Sequence, residues 1–220
     1  MSQLAAAPRI RTTDMLEGYA RGMFLMGERR THDRLVWCLP RVRAILPLGQ
    51  LHLPRRLARR VRLSPWRVAS NRDFARTLAL CRDNPKRADS WINPPLMRLY
   101  QQLHATGYAH SVECWHGERL VGGLFGVALG AAFFAEAMFH LETDASKLAL
   151  LALHQHLCAQ RFRLLDCQYQ TPHLQQFGVQ EIGRAAYQRR LAAALAEAAE
   201  FAPFAPRAAP TWLQPVSQTS

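Results

Sequence analysis

Lysine, long apolar runs and closely spaced cysteines are all scarce in this 220-residue chain. The longest apolar runs, such as Leu148–Leu153, fall far short of the roughly 20 residues a membrane span needs, so no transmembrane helix is expected. The opening MSQLAAAPRIRTTD has no apolar core of the secretory kind, which makes the cytosol the expected compartment. Five cysteines (Cys38, Cys81, Cys114, Cys158, Cys167) are odd in number and never form a C-x-x-C pair. That spacing suggests neither a disulfide framework nor a zinc site, and free thiols are expected. His154 and His156, two apart on an expected helix, point to different faces, and no metal ligand set is expected. There is no G-x-S-x-G elbow and no Walker loop. The junction FHLETDASK (139–147) lacks the glycines a coenzyme A pyrophosphate would require, so no cofactor is expected.

What is present is positive charge. Lys and Arg number 28 against 16 Asp and Glu, a balance of +12, and all but Lys86 and Lys147 are arginine. Between Arg29 and Arg67 the only acid is Asp33. LPRRLARRVRL (53–63) sets Arg55, Arg56, Arg59, Arg60 and Arg62 around Leu53, Leu57 and Val61, the pattern of a basic amphipathic helix. Such a cluster suits a polyanion whose phosphates release counterions on binding. A solvated arginine face and a membrane-surface helix are the other readings of the same residues.

The elements follow from period and punctuation. TTDMLEGYARG reads as a helix capped by Thr13 or Asp14 and stopped by Gly22. Residues 36–50 read as short strands broken by Pro40 and Pro47, WRVASN as a strand, and RDFARTLALCRD as a helix. DNPKRADS (83–90) is a polar seam. After it, NPPLMRLYQQLHATG is a helix with Asn93 as its cap. Three strands joined by Gly-containing turns span AHSVECW to AAFFAEAMF, an antiparallel meander. A helix striped by Leu148, Leu151, Ala152 and Leu157, the strand RLLDCQY, the short turn TPHLQQFG and the helix RAAYQRRLAAALAEAA complete the chain. The expected class is α+β. A small N-terminal α/β domain (1–85) precedes a domain over 86–200, with a mostly antiparallel sheet flanked by helices. From Phe201 to 220 the Ala- and Pro-rich tail is expected to be loosely ordered. The order helix, three strands, helix, strand, helix resembles the acetyltransferase-like (GNAT) fold.

One residue stands out. Glu136 lies within FFAEAMF (133–139), among the most apolar stretches of the chain. An unpaired carboxylate there would cost several kcal/mol, so it faces solvent, pairs with an arginine, or lines a polar slot in an apolar wall. Strand alternation places Phe134, Glu136 and Met138 on one face and Phe133, Ala135 and Ala137 on the other. Asp166 and Gln168 share a face of LLDCQY, and two acids with an amide on neighbouring strands can form a hydrogen-bonded network. Trp91, Trp37 and Trp66 either staple elements to the core or offer stacking plates for a nucleobase.

The run from Ser90 to Ile182, with S-W-I, A-H-S-V-E-x-W, L-V-G-G-L-x-G-V-A-L-G, F-F-x-E-x-M-F, D-A-S-K and D-x-Q in order, resembles the leucyl/phenylalanyl-tRNA–protein transferase family. GYARGMF and ILPLGQLHLPRRLARRVR resemble that family's N-terminal part. The chain departs from the family at FLM (24–26) and WCLPRVR (37–43), and has alanines around Glu136 where Gly and Ser are usual.

The resemblance implies a cytosolic bacterial enzyme that moves leucine or phenylalanine, and methionine less well, from aminoacyl-tRNA to proteins beginning with arginine or lysine. Gln168 would receive or orient the proton of the attacking amine, Asp166 would polarise Gln168, and Glu136 would hold the cationic acceptor or the reacting amine. Phe133, Met138, Leu150 and Leu165 would form the pocket for the apolar side chain. Trp91 and Trp37 would stack on the terminal adenosine, and Arg55, Arg56, Arg59, Arg60 and Arg62 would hold tRNA phosphates from a tRNA-facing N-terminal domain. No metal, no cofactor and no membrane is implied, and a monomer is expected. A tRNA-dependent transferase with another amine acceptor and a non-catalytic tRNA-binding relative are the alternatives.

Overall fold

The computed structural model describes residues 10–84 and 90–213. Helix α1 (Thr12–Ala20) begins where the Asp14 carboxylate accepts the Arg11 backbone N–H at 2.8 Å, so Asp14 serves from inside the first turn rather than as the cap. Strands β1 (Phe24–Gly27) and β2 (Leu35–Cys38) form a separate two-stranded sheet. Pro40 and Pro47 bracket β3 (Val42–Ile45). The basic segment is helix α2 (Arg55–Leu63), which buries Leu57 and Val61 and leaves its five arginines exposed. Strand β4 (Arg67–Ser70) leads into α3 (Phe74–Arg82).

Helix α4 (Pro94–Ala105) is capped by the Asn93 side chain, which accepts the Leu96 N–H at 3.2 Å. The antiparallel meander is β5 (Ala109–His116), β6 (Arg119–Leu129) and β7 (Ala132–His140). Then come α5 (Ala145–Ala159), β8 (Leu164–Gln168), α6 (Pro172–Gln175), β9 (Gln180–Gly183), α7 (Arg184–Leu195), β10 (Arg207–Ala208) and a 3-10 turn (Ala209–Leu213).

One eight-stranded sheet runs β10-β4-β5-β6-β7-β8-β3-β9. Because α5 carries the chain back over the sheet, β7 and β8 lie parallel, while the other ladders are antiparallel. Two apolar clusters cover its faces. On one side α5, α2 and the C-terminal segment pack around Leu148, Leu151 and Phe133. On the other, α1, α3, α4 and α7 pack around Tyr100, Phe125 and Phe134. Helix α5 is buried on far more than the expected stripe, since the C-terminal segment covers the side turned from the sheet.

Three expectations change. Strands β3 and β4 precede the seam at 83–90 yet hydrogen-bond to β8 and β5, so the sheet is not divided there. Of the seam itself, 85–89 fall outside the described residues. The tail from Phe201 is not loose through Leu213: Phe201, Phe204 and Trp212 are buried, and β10 pairs with β4. Its aromatics give an Ala/Pro-rich segment enough apolar area to hold it down; residues 214–220 fall outside the described set. Finally, β1 and β9 form where no strand was expected. Among the described residues no helix is long and apolar enough to cross a membrane.

Candidate active site

The β7–β8 ladder joins Ala132 to Leu164, Phe133 to Leu165 and Phe134 to Asp166, and then stops. Beyond that point the strands part, and a cavity of about 390 Å³ opens between their C-terminal ends. Trp91, Glu136, Met138, Leu150, Gln168 and Leu174 are among its walls. Crevices at the carboxyl ends of parallel strands are natural ligand sites, because the ladder can no longer use those backbone groups.

Glu136 reaches this cavity through a β-bulge. Phe125 pairs with Ala137 and Gly126 with Ala135, leaving Glu136 without a partner of its own on β6. The bulge needs a glycine: a Cβ on Gly126 would lie 2.3 Å from the Phe134 carbonyl oxygen and 2.4 Å from the Phe133 ring. It also resets the side-chain alternation. Met138 packs in the same cluster as Phe133 and Ala135, not with Phe134 as strict alternation required.

The Glu136 carboxylate is buried, and among the described residues it pairs with no arginine. Tyr19 donates to Oε1 at 2.7 Å, and Tyr100 and the Gln168 amide donate to Oε2 at 2.9 Å and 2.8 Å. Burial pushes its pKa up to about 7, while the three donors pull it down and the Asp166 charge adds to the rise.

Asp166 meets the backbone of Gln168 rather than its side-chain amide. Its Oδ1 accepts the backbone N–H of Gln168 at 2.7 Å, with Gln168 held in the left-handed region at φ +62°. Arg43 grips the same carboxylate from Nε and Nη2, and Tyr187 donates to it at 2.7 Å. Asp166 is thus the anchor of the strand end, and Gln168 is turned so that its Nε2 meets Glu136. The Gln168 Oε1 receives no hydrogen bond from the described residues, so its acceptor capacity is unused by them.

The other expected residues divide. Met138, Leu150 and Trp91 line the cavity. Phe133 and Leu165 do not: both are buried in the core behind it, with Phe133 against Phe162 and Phe201. Trp37 is absent from the cavity walls too. It lies against α1, where a Cβ on Gly18 would meet its ring at 2.1 Å, and stays 37 % exposed. Arg56, Arg59 and Arg60 border a separate open cleft with Trp66 and His116, and Arg60 pairs with Asp144 at 3.2 Å. Sequence reading missed Tyr19, Tyr100, Arg43 and Tyr187, the residues that hold the two carboxylates. The signal available was Arg43 itself, a cation set between Val42 and Ala44–Leu46.

Fold and cavity together define an α+β protein with a largely apolar cleft headed by a buried carboxylate–amide pair. Comparison with known proteins adds the family. The family model described as leucyl/phenylalanyl-tRNA protein transferase matches residues 45–192. The chain is 50 % identical over 203 residues to the leucyl/phenylalanyl-tRNA–protein transferase of Cereibacter sphaeroides, covering 92 % of each. It is 50 % identical over 189 residues to that of Caulobacter vibrioides, covering 86 % of this chain and 87 % of the relative. With the Phenylobacterium zucineum protein of the same name it shares 47 % over 214 residues, covering 94 % and 97 %. The chain belongs to the leucyl/phenylalanyl-tRNA protein transferase family.

Proposed function

We propose that this protein is an aminoacyltransferase that moves leucine or phenylalanine, and methionine less well, from aminoacyl-tRNA to the N-terminal arginine or lysine of acceptor proteins. It works in the cytoplasm as a monomer and marks those proteins for degradation. The observation that carries this reading is the Glu136–Gln168 pair, 2.8 Å apart, at the head of an apolar cavity with Trp91 in its wall.

The chemistry asks little beyond alignment. The acceptor's α-amine attacks the ester carbonyl, a C–N bond forms, and the C–O bond to the terminal ribose breaks. The amine's proton passes to the departing ribose oxygen. An ester is already activated, so holding both partners supplies most of the rate. Gln168 accepts from the attacking amine through Oε1, Glu136 fixes that amide and draws the cationic N-terminus, and Asp166 sets the strand end from which Gln168 projects. Met138 and Leu150 receive the apolar side chain, Trp91 stacks on the terminal adenine, and Arg55, Arg56, Arg59, Arg60 and Arg62 lie along the tRNA backbone. In this reading residues before 85 supply the tRNA-facing surface, and 86–200, GNAT-like in element order, the catalytic cleft.

Transfer of radiolabelled leucine from leucyl-tRNA to peptides starting with arginine or alanine tests it, with Gln168→Ala alongside. Labelling of the arginine peptide alone, reduced in the variant, is expected. Labelling of neither peptide while tRNA binds would overturn it.

A further inference from the structure

Two residues of the cavity wall each carry a buried polar atom that the scheme above does not use. Among the described residues, Ser146, 1 % exposed, leaves its Oγ without a hydrogen-bond partner, and the buried Nε2 of His173 is equally unpartnered. Both residues line the same cavity as Glu136 and Gln168. Burying such atoms unsatisfied is unfavourable, and a ligand group that reached them would remove that cost.

Their surroundings specify the ligand's charge. Ser146 sits in the first turn of α5, where the Glu142 carbonyl takes the Ala145 N–H and the N–H groups of Ser146 and Lys147 have no intrahelical acceptor. The helix also goes uncapped by a side chain, because Asp144 at the cap position adopts φ +74°. The Asp144 carboxylate turns instead to Lys147, at 2.9 Å, and Arg60, at 3.2 Å. Gly122 on β6 lets this end of the helix approach, since a Cβ there would stand 2.5 Å from that of Ala145. Around His173 stand Lys147, His140 and Asp144; burial first, then the two basic neighbours, hold its imidazole below the ordinary pKa, with Asp144 opposing. The field of a helix N-terminus with the Lys147 and Arg60 cations, against the one Asp144 carboxylate, favours an anion.

We infer that Ser146, His173 and the first turn of α5 form a subsite for one phosphate group, the 5′-phosphate of the nucleotide whose ribose carries the aminoacyl ester. This rests on the proposed function, in which Trp91 in the same cavity takes that nucleotide's base. The subsite would register the terminal nucleotide directly, apart from the arginines of α2 that meet phosphates further along.

The test uses two minimal donors, 3′-O-phenylalanyl-adenosine with and without a 5′-phosphate, and an arginine-initiated peptide as acceptor. The readout is the ratio of kcat/KM for the two donors. In the unaltered protein the phosphate is expected to raise kcat/KM about tenfold or more, as charge-assisted hydrogen bonds do. In Ser146→Ala and in His173→Leu that ratio should fall towards one. Leu150→Ala should lower both donors together and keep the ratio. A ratio that stays unchanged in both Ser146→Ala and His173→Leu, or that is already one in the unaltered protein, overturns the subsite. Transfer from neither donor nor from intact leucyl-tRNA would instead overturn the function on which it rests.

Discussion

Arg43 and Asp166, 123 positions apart in sequence, form a buried two-pronged ion pair across β3 and β8, with Nη2 to Oδ2 at 2.7 Å and Nε to Oδ1 at 3.0 Å. The guanidinium is further sandwiched by the Phe24 and Tyr187 rings, 4.6 Å and 4.9 Å from their centroids. A pair this dry gains little against an apolar replacement, yet breaking it strands a charge. Arg43→Met should therefore destabilise the fold by about 3–5 kcal/mol, read by urea unfolding. The double change Arg43→Met with Asp166→Leu should regain much of that stability while transfer stays impaired, because the Gln168 N–H has then lost its acceptor. Equal stability of the single and double variants would contradict this.

Glu136 predicts a pH dependence with a definite sign. Its pKa is raised from 4.5 unfolded to about 7 folded, so the folded chain holds the proton more tightly. Its contribution then weakens as pH rises from about 4.5 to about 7 and levels off above, where the buried charge is fully formed. Unfolding free energies at pH 5 and pH 8 should fall more steeply for the natural protein than for Glu136→Gln. Parallel pH profiles would show that the carboxyl is not perturbed. Transfer by Glu136→Gln should also drop, since an amide cannot accept from Tyr19, Tyr100 and Gln168 together.

Gly126 holds the bulge that sends Glu136 to the cavity. Gly126→Ala should cost about 1–3 kcal/mol, as overpacked sites do, and lower kcat more than KM. A variant with unaltered stability and rate would mean that the ladder can accommodate the methyl without moving Glu136.

Charge on α2 should be read through salt. Arg56→Ala and Arg59→Ala are each expected to weaken tRNA binding and reduce the slope of log K against log salt by about one. Arg60, engaged with Asp144, should contribute less. Filter binding across a salt series distinguishes this from a solvated face, for which all slopes coincide.

The C-terminal segment is part of the core. Phe204 is 7 % exposed, its N–H meets the Ser70 hydroxyl at 2.7 Å, and its ring packs on Trp212. Phe204→Ala should lower stability by about 3–5 kcal/mol, detected as a lowered thermal midpoint. A loose tail would leave the midpoint unmoved.

Much of the fold was legible because its signals are local. The Asn93 cap, the two prolines around β3 and the glycine turns of the meander each act within a few residues, and each marks an element that formed. Strand β9 was not legible: Gln180–Gly183 is mostly exposed and polar, and becomes a strand only because β3 offers it a ladder. The tail was misjudged for a similar reason, since its three aromatics mean little until α5 and β4 present a surface for them.

By itself the sequence determined the α+β order, the basic helix and the family, and singled out Glu136, Asp166 and Gln168 as candidates, for these rest on periodicity, charge and motif. Only the tertiary structure decided how those three side chains are bonded and held. Which carboxylate takes the arginine, which takes the tyrosines, and where strand alternation skips a residue depend on groups brought together from α1, α4, β3 and α7. A bulge of one residue reverses the facing of every side chain after it, and no local pattern in FFAEAMF marks where it falls.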